Sequence, residues 1–151
     1  MADIASGESI EEYLNQHDTL TYRNVGVSML PMLRQGRDLF TVKKKTEERC
    51  RKYDVVLFRK SPHVYLLHRV IKVRPDDYVM MGDNTITKEE GIKDRDILGV
   101  MTSFVHNGRQ YRVNDLRYRL YIHLWVGLYR PARLFVRRAW RKASRMIRNG
   151  K

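Results

Sequence analysis

A serine hydroxyl stands inside an otherwise apolar segment, residues 26–33, whose sequence is GVSMLPML. Ser28 precedes Pro31 by three residues, and the proline prevents the segment from continuing as a regular helix. A serine becomes a strong nucleophile only when a nearby base accepts its proton. The segment therefore predicts that Ser28 is presented at the edge of an apolar cleft, where a base from elsewhere in the chain must meet it.

His68 is the histidine whose surroundings are unusual. It lies in the middle of the apolar run at residues 65–71, where burying a titratable ring is costly unless the ring has a partner or a task. The other four histidines have polar or amphipathic surroundings, and we expect them to be structural or exposed: His17, His63, His106 and His123. Two interpretations of His68 stay open, a base for Ser28 and a hydrogen-bonded core residue.

A third segment, Gly82-Asp83-Asn84, follows the apolar residues 78–81. All three residue types favour turns, which is the simpler interpretation. The functional interpretation is that Asp83 orients an imidazole or braces the site from a strand end. A metal site is not predicted, because His63 and His68 are five residues apart and would face opposite sides of one strand. No cofactor is predicted either.

Four segments, taken in order, resemble the signal peptidase I superfamily, which also includes the self-cleaving SOS-repressor peptidases. They are Ser28-Met29-Leu30-Pro31, Tyr53-Asp54-Val55-Val56, His68-Arg69-Val70 and Gly82-Asp83-Asn84. The resemblance covers residues 25–101, about half of the chain. It implies a compact β-rich fold and a serine endopeptidase with Ser28 as nucleophile. The implied substrate is an extended leader or signal-like peptide with small residues near the cut.

The basic residue before Arg69 distinguishes the types within this superfamily. Bacterial signal peptidases and the SOS-repressor group have a lysine there, whereas the endoplasmic-reticulum and archaeal type has a histidine, as this chain does. The resemblance therefore implies a Ser28–His68 pair supported by a carboxylate. Asp83 is the first candidate for that carboxylate and Asp94 is its main rival. Glu89 stands where many relatives have their second acid.

The chain departs from the family pattern at Gly26, where many relatives carry a serine that stabilises the oxyanion. The oxyanion hole would then depend on backbone N–H groups, notably that of Ser28. Losing one such donor can cost about 3 kcal/mol in the transition state, which predicts slow activity or a narrow substrate range. The alternative function is a catalytically weak or inactive relative that binds peptides and attaches peripherally to membranes.

The elements that must position these residues follow from local patterns. Ser9 and Glu12 form a capping box that predicts a short helix over residues 10–16. Short apolar runs between turn residues predict strands over 22–27, 39–44, 55–59, 65–73, 78–81, 97–105 and 110–113. Asn107-Gly108 predicts a hairpin. We therefore expect a mainly β, α+β fold of antiparallel strands.

Three regions are expected: an N-terminal helical segment over residues 1–19, a β-rich peptidase-like domain over 20–113 and a basic helical tail over 114–151. Eleven lysines and arginines follow Asp115, and no acidic residue does. Between Leu128 and Ile147 apolar residues recur at spacings of three and four opposite an arginine face, which predicts an amphipathic helix with Pro131 in its first turn. Such a helix either packs on the β-domain or lies in anionic headgroups.

The formal net charge of +13 indicates an anionic partner. Nucleic acid is the weaker candidate, because the sequence has no zinc-finger, helix-turn-helix or RNA-binding signature. The single cysteine, Cys50, excludes an intrachain disulfide and favours a reducing compartment. The acidic, polar N-terminus is not typical of a secretory signal, and no apolar run reaches the length of a membrane span. We therefore expect a cytoplasmic protein without a transmembrane anchor, attached to membranes at most peripherally.

Overall fold

The computed structural model describes residues 9–129, 131, 132 and 135 of the 151-residue chain. The chain divides into two compact units, one ending at Asp115 and the other beginning at Leu116. The first unit is an antiparallel β-structure preceded by a helix, and the second begins with a helix. The predicted mainly β, α+β class is confirmed.

The first helix, α1, spans Ile10–His17 and begins at the predicted capping box. The backbone N–H of Glu12 donates to the Ser9 hydroxyl at 3.1 Å, and the backbone N–H of Ser9 donates to the Glu12 carboxylate at 2.8 Å. Both bonds satisfy helix-end N–H groups that would otherwise have no intrahelical partner. This local pairing explains why the helix could be predicted from sequence.

Eight strands form one sheet in the order β1-β2-β7-β3-β4-β5-β6, and β8 pairs with β7. Their bounds are β1 Thr19–Arg23, β2 Leu39–Lys44, β3 Val55–Ser61, β4 Val64–Val73, β5 Tyr78–Met81, β6 Glu89–Ile92, β7 Ile97–His106 and β8 Arg109–Arg112. All pairings along this order are antiparallel. Asn107 and Gly108 turn the chain between β7 and β8 with φ values of 53° and 76°, which confirms the predicted hairpin.

One strand prediction was wrong, and one strand was missed. The first strand was expected over residues 22–27 but is Thr19–Arg23, because the chain leaves the sheet where Asn24 donates its N–H to Asp38 and Gly26 turns at φ 88°. The strand β6 was not predicted at all. Its two glutamates and a glycine at φ 76° give no apolar alternation to detect.

The core lies where the central strands meet. One cluster of buried core residues consists of Cys50, Val56, Phe58, Val70, Tyr78, Met80, Ile92 and Ile97. Most of these residues belong to β3, β4 and β5, whose apolar runs are buried along much of their length. The strands β4 and β5 therefore give a rigid base to His68, which lies on β4, and to Asp83, which follows β5.

In the second unit the helix α2 spans Leu116–Tyr121 and continues as a π-helical segment, Ile122–Tyr129. The amphipathic helix predicted from Pro131 onward lies almost entirely outside the described residues. Among the residues that are described, no helix is both long and apolar enough to cross a membrane.

Candidate active site

Ser28 lies on the long connection between β1 and β2, residues 24–38. Met29 and Leu33 of this connection are fully buried, and the N–H of Leu33 donates to the carbonyl of Met29 at 3.0 Å. Ser28 itself is half-buried, and the side chain of Val27 beside it is 55% exposed. The buried residues thus anchor the connection while the hydroxyl-bearing residue stays near the surface.

The far end of this connection is fixed by Asp38. Its buried carboxylate accepts hydrogen bonds from the Arg37 side chain, from the backbone N–H groups of Arg34 and Asn107, and pairs with the His106 ring at 2.9 Å. Burial alone would raise the pKa of Asp38, but these hydrogen bonds together hold the pKa well below its usual range. The carboxylate therefore stays ionised and ties the connection to the β7–β8 hairpin.

The Gly82–Asn84 turn contacts the Ser28 segment directly. The backbone N–H of Asn84 donates to the carbonyl of Ser28 at 2.8 Å, and the Asn84 side-chain amide donates to the carbonyl of Val27 at 3.2 Å. A Cβ atom at Gly82 would lie 2.6 Å from the Ser28 carbonyl oxygen and 3.0 Å from the Ser28 Cβ. Only glycine allows this approach, so the two segments singled out in the sequence are in contact.

The strand register relates His68 on β4 to Gly82 after β5. The pairing of β4 with β5 ends with Arg69 opposite Met81, so the next residues along the two strands are His68 and Gly82. Residues opposite each other in an antiparallel pair direct their side chains to the same face. The His68 side chain, 5% exposed, therefore lies on the face from which Ser28 approaches Gly82. Extending this register by one residue sets His68 opposite Gly82, the residue that Ser28 contacts.

Asp83 binds Arg69 through both carboxylate oxygens. The Arg69 Nε and an Nη donate to Asp83 at 2.7 and 2.6 Å, and both side chains have no exposed surface. Arg69 also donates to the carbonyl of Tyr53 at 2.9 Å. Consecutive strand residues point to opposite faces, so the Arg69 side chain that Asp83 binds lies on the face of β4 opposite to that of His68. This geometry fits the bracing role that the sequence left open for Asp83.

The rival acids lie elsewhere. Asp94 accepts a hydrogen bond from the Tyr78 hydroxyl at 2.7 Å and forms ion pairs with Lys45 and Arg49 at 3.3 and 3.4 Å. Tyr78 is the first residue of β5, whereas Gly82 follows its last, so Asp94 and Ser28 are attached at opposite ends of that strand.

Glu89 pairs with Lys60 at 2.8 Å, and its Cα is in register with Met80 on the neighbouring strand β5. The hydrogen bonds and ion pairs of Asp94 and Glu89 therefore do not attach either acid to the place where Ser28 contacts Gly82. Of the three candidate carboxylates, Asp83 alone belongs to the turn that holds Ser28.

Sequence reasoning missed the roles of Arg69 and Asn84, although both belong to segments it singled out. A signal for Arg69 was present, because an arginine inside an apolar strand must find a carboxylate if it is buried. Asn84 gave no comparable signal, since its two hydrogen bonds join segments more than fifty residues apart.

The backbone conformation at residue 26 favours glycine. Its φ of 88° lies in the left-handed region, where a residue with a side chain is strained. The carbonyl of Gly26 accepts a hydrogen bond from the Asn24 side chain at 3.1 Å, which holds this conformation. A serine could not simply replace this glycine and keep the present backbone.

Two surface cavities lie away from these residues. One, of about 540 Å³, is lined by residues that include Glu11, Lys45 and Asp94, and the other, of about 400 Å³, by Arg59 and Tyr65 among others. Neither lining includes Ser28 or His68. Within the described part of the chain, no group of three His, Cys, Asp or Glu side chains is arranged to hold a metal ion.

Comparison with known proteins adds no family assignment. No protein-family model matches the chain, and no curated protein sequence matches it significantly.

Proposed function

We propose that the protein is a serine endopeptidase similar to signal peptidase, with Ser28 as nucleophile and His68 as general base. The observation that carries the proposal is the close contact between Ser28 and Gly82. Gly82 follows Met81, which pairs with Arg69, so the strand register leads from Gly82 to His68. A nucleophile and its base must lie close together before their pKa values matter. The resemblance of four ordered segments to the superfamily supports the same assignment.

The proposed reaction proceeds in two steps. The Ser28 Oγ attacks the peptide carbonyl while His68 takes its proton, and the imidazolium then gives that proton to the leaving amine. An acyl-enzyme forms on Ser28 and the C–N bond breaks. In the second step His68 deprotonates a water, which attacks the ester, and Ser28 regains its proton. One water is consumed and two chain ends are released.

Asp83 and Arg69 act in this proposal as positioning residues. Their buried pair fixes the turn after β5, and the neighbouring Gly82 and Asn84 hold the Ser28 segment. With Gly26 in place of a serine, the oxyanion is stabilised by backbone N–H groups, including that of Ser28. Turnover is therefore expected to be slow.

The proposed substrate is an extended leader or signal-like peptide. Three apolar side chains near the serine in sequence or just after the adjoining turn are exposed: Val25 at 74%, Val27 at 55% and Ile86 at 42%. Exposed apolar side chains beside a nucleophile suit an extended peptide, which gains affinity from main-chain bonds and specificity from small pockets. The preference for small residues near the cut comes from the family resemblance.

The test combines active-site labelling with cleavage of a leader peptide. We expect the wild type to be labelled by a fluorophosphonate, with the adduct mapped to Ser28 by peptide mass spectrometry. Ser28→Ala should abolish both labelling and cleavage, and His68→Gln should reduce both by about 10²- to 10⁴-fold. Ser61→Ala is the matched control, because Ser61 is an exposed serine at the end of β3.

Equal labelling of wild type and Ser28→Ala would refute the assignment of the nucleophile. If the wild type binds the leader peptide but neither labels nor cleaves, the alternative function, a peptide-binding relative without catalysis, replaces the proposal.

A further inference from the structure

Leucines recur at every fourth position along the helix of the second unit. Leu116, Leu120, Leu124 and Leu128 are between 55% and 80% exposed, and we call them the leucine row. Residues four apart advance slightly more than one turn in an α-helix and slightly less than one turn in the wider π-helix. The change from α2 to the π-helical segment at Ile122 therefore keeps the leucines on one side.

Aromatic rings stack along the same segment. Ring centroids are 6.4 Å apart for Tyr118 and Tyr121, 6.5 Å for Tyr121 and Trp125, and 4.4 Å for Trp125 and Tyr129. Tyr118 is buried and Tyr129 is half-exposed, so the rings lead from the covered side of the segment toward its surface. Tyrosine and tryptophan rings favour the boundary between bilayer and water, because they join an apolar body to a polar tip.

The charges beside the leucine row have one sign. Arg117 and Arg119 are exposed and lie between Leu116 and Leu120 in the sequence. No acidic residue follows Asp115 anywhere in the chain, whereas eleven lysines and arginines do. A row of exposed leucines among cations is complementary to a surface that is apolar beneath a negatively charged layer.

We propose that residues 116–129 dock on an anionic lipid bilayer. The leucine row enters the boundary between headgroups and acyl chains, and Arg117 and Arg119 lie against the headgroup phosphates. The half-exposed Tyr129 lies at the level of the headgroups. No residue of this surface belongs to the proposed peptidase site, so either assignment can fail without the other.

The test is co-sedimentation of the full chain with vesicles, comparing phosphatidylcholine with phosphatidylcholine plus phosphatidylglycerol. The wild type should bind the anionic vesicles and shift its tryptophan emission to shorter wavelength. Leu120→Gln/Leu124→Gln should weaken this binding at least about tenfold, since two half-exposed leucines lose their transfer from water. Val64→Gln/Val73→Gln is the matched control, because both valines are partly exposed on β4. It should bind as the wild type does.

A second variant tests the electrostatic part. Arg117→Gln/Arg119→Gln should weaken binding by about an order of magnitude at low salt, and the loss should shrink as salt rises. Circular dichroism of each variant must match the wild type before binding is compared.

Several outcomes overturn the proposal. Equal affinity for neutral and anionic vesicles removes the headgroup assignment. Unchanged binding by the leucine variant removes insertion by the leucine row. If vesicles do not bind and the leucine variant instead converts a dimer to a monomer in solution, the row is a self-association surface. If an oligonucleotide binds and vesicles do not, the partner is a nucleic acid.

Discussion

The two ends of β5 carry two carboxylates with different surroundings. At the end that leads into Gly82, Asp83 is fully buried in a two-bond pair with Arg69. At the other end, where β5 begins with Tyr78, Asp94 is 44% exposed and meets Lys45 and Arg49 at 3.3 and 3.4 Å. One strand of four residues thus separates a dry ion pair from a solvated cluster.

The difference in burial indicates at which end of β5 a charge pair must fix the geometry of the chain. Taking two charges out of water is costly, and a buried pair is a poor source of stability compared with an apolar core. It does fix geometry, because each charge needs its partner in one arrangement. The turn beside Asp83 holds the Ser28 backbone, whereas the Asp94 cluster covers a core tyrosine. We infer that the buried pair serves the positioning of Ser28.

The largest effect is expected from Asp83→Asn. It leaves the buried guanidinium of Arg69 without a counter-charge, and breaking such a pair typically costs about 3–5 kcal/mol. The free energy of unfolding, measured with urea and circular dichroism, should fall by that amount. Fluorophosphonate labelling of Ser28 should fall as well under conditions where the variant is still folded.

The double variant Asp83→Leu/Arg69→Met is the control for this interpretation. Removing both charges replaces the ion pair with an apolar contact, so the double variant should regain much of the stability that Asp83→Asn loses. Labelling should stay low, because the turn no longer has its fixed geometry. A cost below about 1 kcal/mol for Asp83→Asn would show that the pair behaves like a surface pair, and the contrast between the two ends would disappear.

The second prediction concerns Gly82→Ala. The new Cβ would lie 2.6 Å from the Ser28 carbonyl oxygen, so the Ser28 segment must move. Forcing a group into a packed contact costs about 1–3 kcal/mol, and labelling of Ser28 should fall strongly. Gly91→Ala, on the neighbouring strand β6, is the matched control. A Cβ atom there would meet nothing within 4 Å, but the φ of 76° is strained for alanine.

Gly91→Ala should therefore lower stability by about 1 kcal/mol and leave labelling unchanged. If both variants lose labelling equally, the loss reports general destabilisation and the contact of Gly82 with Ser28 has no special role.

Much of the fold was predictable because its signals are local. The strands β2 and β5 have the bounds predicted from the sequence, the Ser9 capping box places the start of α1, and Asn107-Gly108 places a hairpin. The first strand was misplaced because Asn24 leaves the sheet for a hydrogen bond to Asp38, which is distant in sequence. The short edge strand Glu89–Ile92 has no apolar periodicity at all.

The sequence predicted which residues belong to the candidate site better than it predicted the interactions that they make. Ser28, His68 and Asp83 were singled out from residue type and order, but the choice between bracing and orienting the imidazole stayed open. The bracing interpretation gains support from the alternation along β4, which puts Arg69 and His68 on opposite faces, and from the turn that brings Asp83 to Arg69. Such pairings depend on three-dimensional register, which no single segment encodes.

The third prediction concerns Tyr78→Phe, at the other end of β5. The buried hydroxyl donates to Asp94 at 2.7 Å and accepts from the Arg49 Nε at 3.1 Å and the Cys50 N–H at 3.2 Å. Its removal leaves a buried N–H without its acceptor and should cost about 1–2 kcal/mol. Labelling of Ser28 should stay at the wild-type level. A loss of labelling here would mean that the two ends of β5 are coupled.

The smallest effect is expected from Asp94→Asn. Burial would raise the pKa of Asp94, but the hydrogen bond from Tyr78 and the nearby Lys45 and Arg49 lower it overall. A lowered folded-state pKa contributes stability that is present above the ordinary pKa of about 4 and is lost as the pH falls through the folded value. Because the side chain is 44% exposed, solvent screening limits the contribution to about 1 kcal/mol or less. Urea unfolding at neutral pH should therefore show a small loss for Asp94→Asn, and the difference from the wild type should shrink as the pH falls below the ordinary pKa of an aspartate. A loss as large as that of Asp83→Asn, or one that persists in acid, would contradict the contrast between a dry pair at one end of β5 and a solvated cluster at the other.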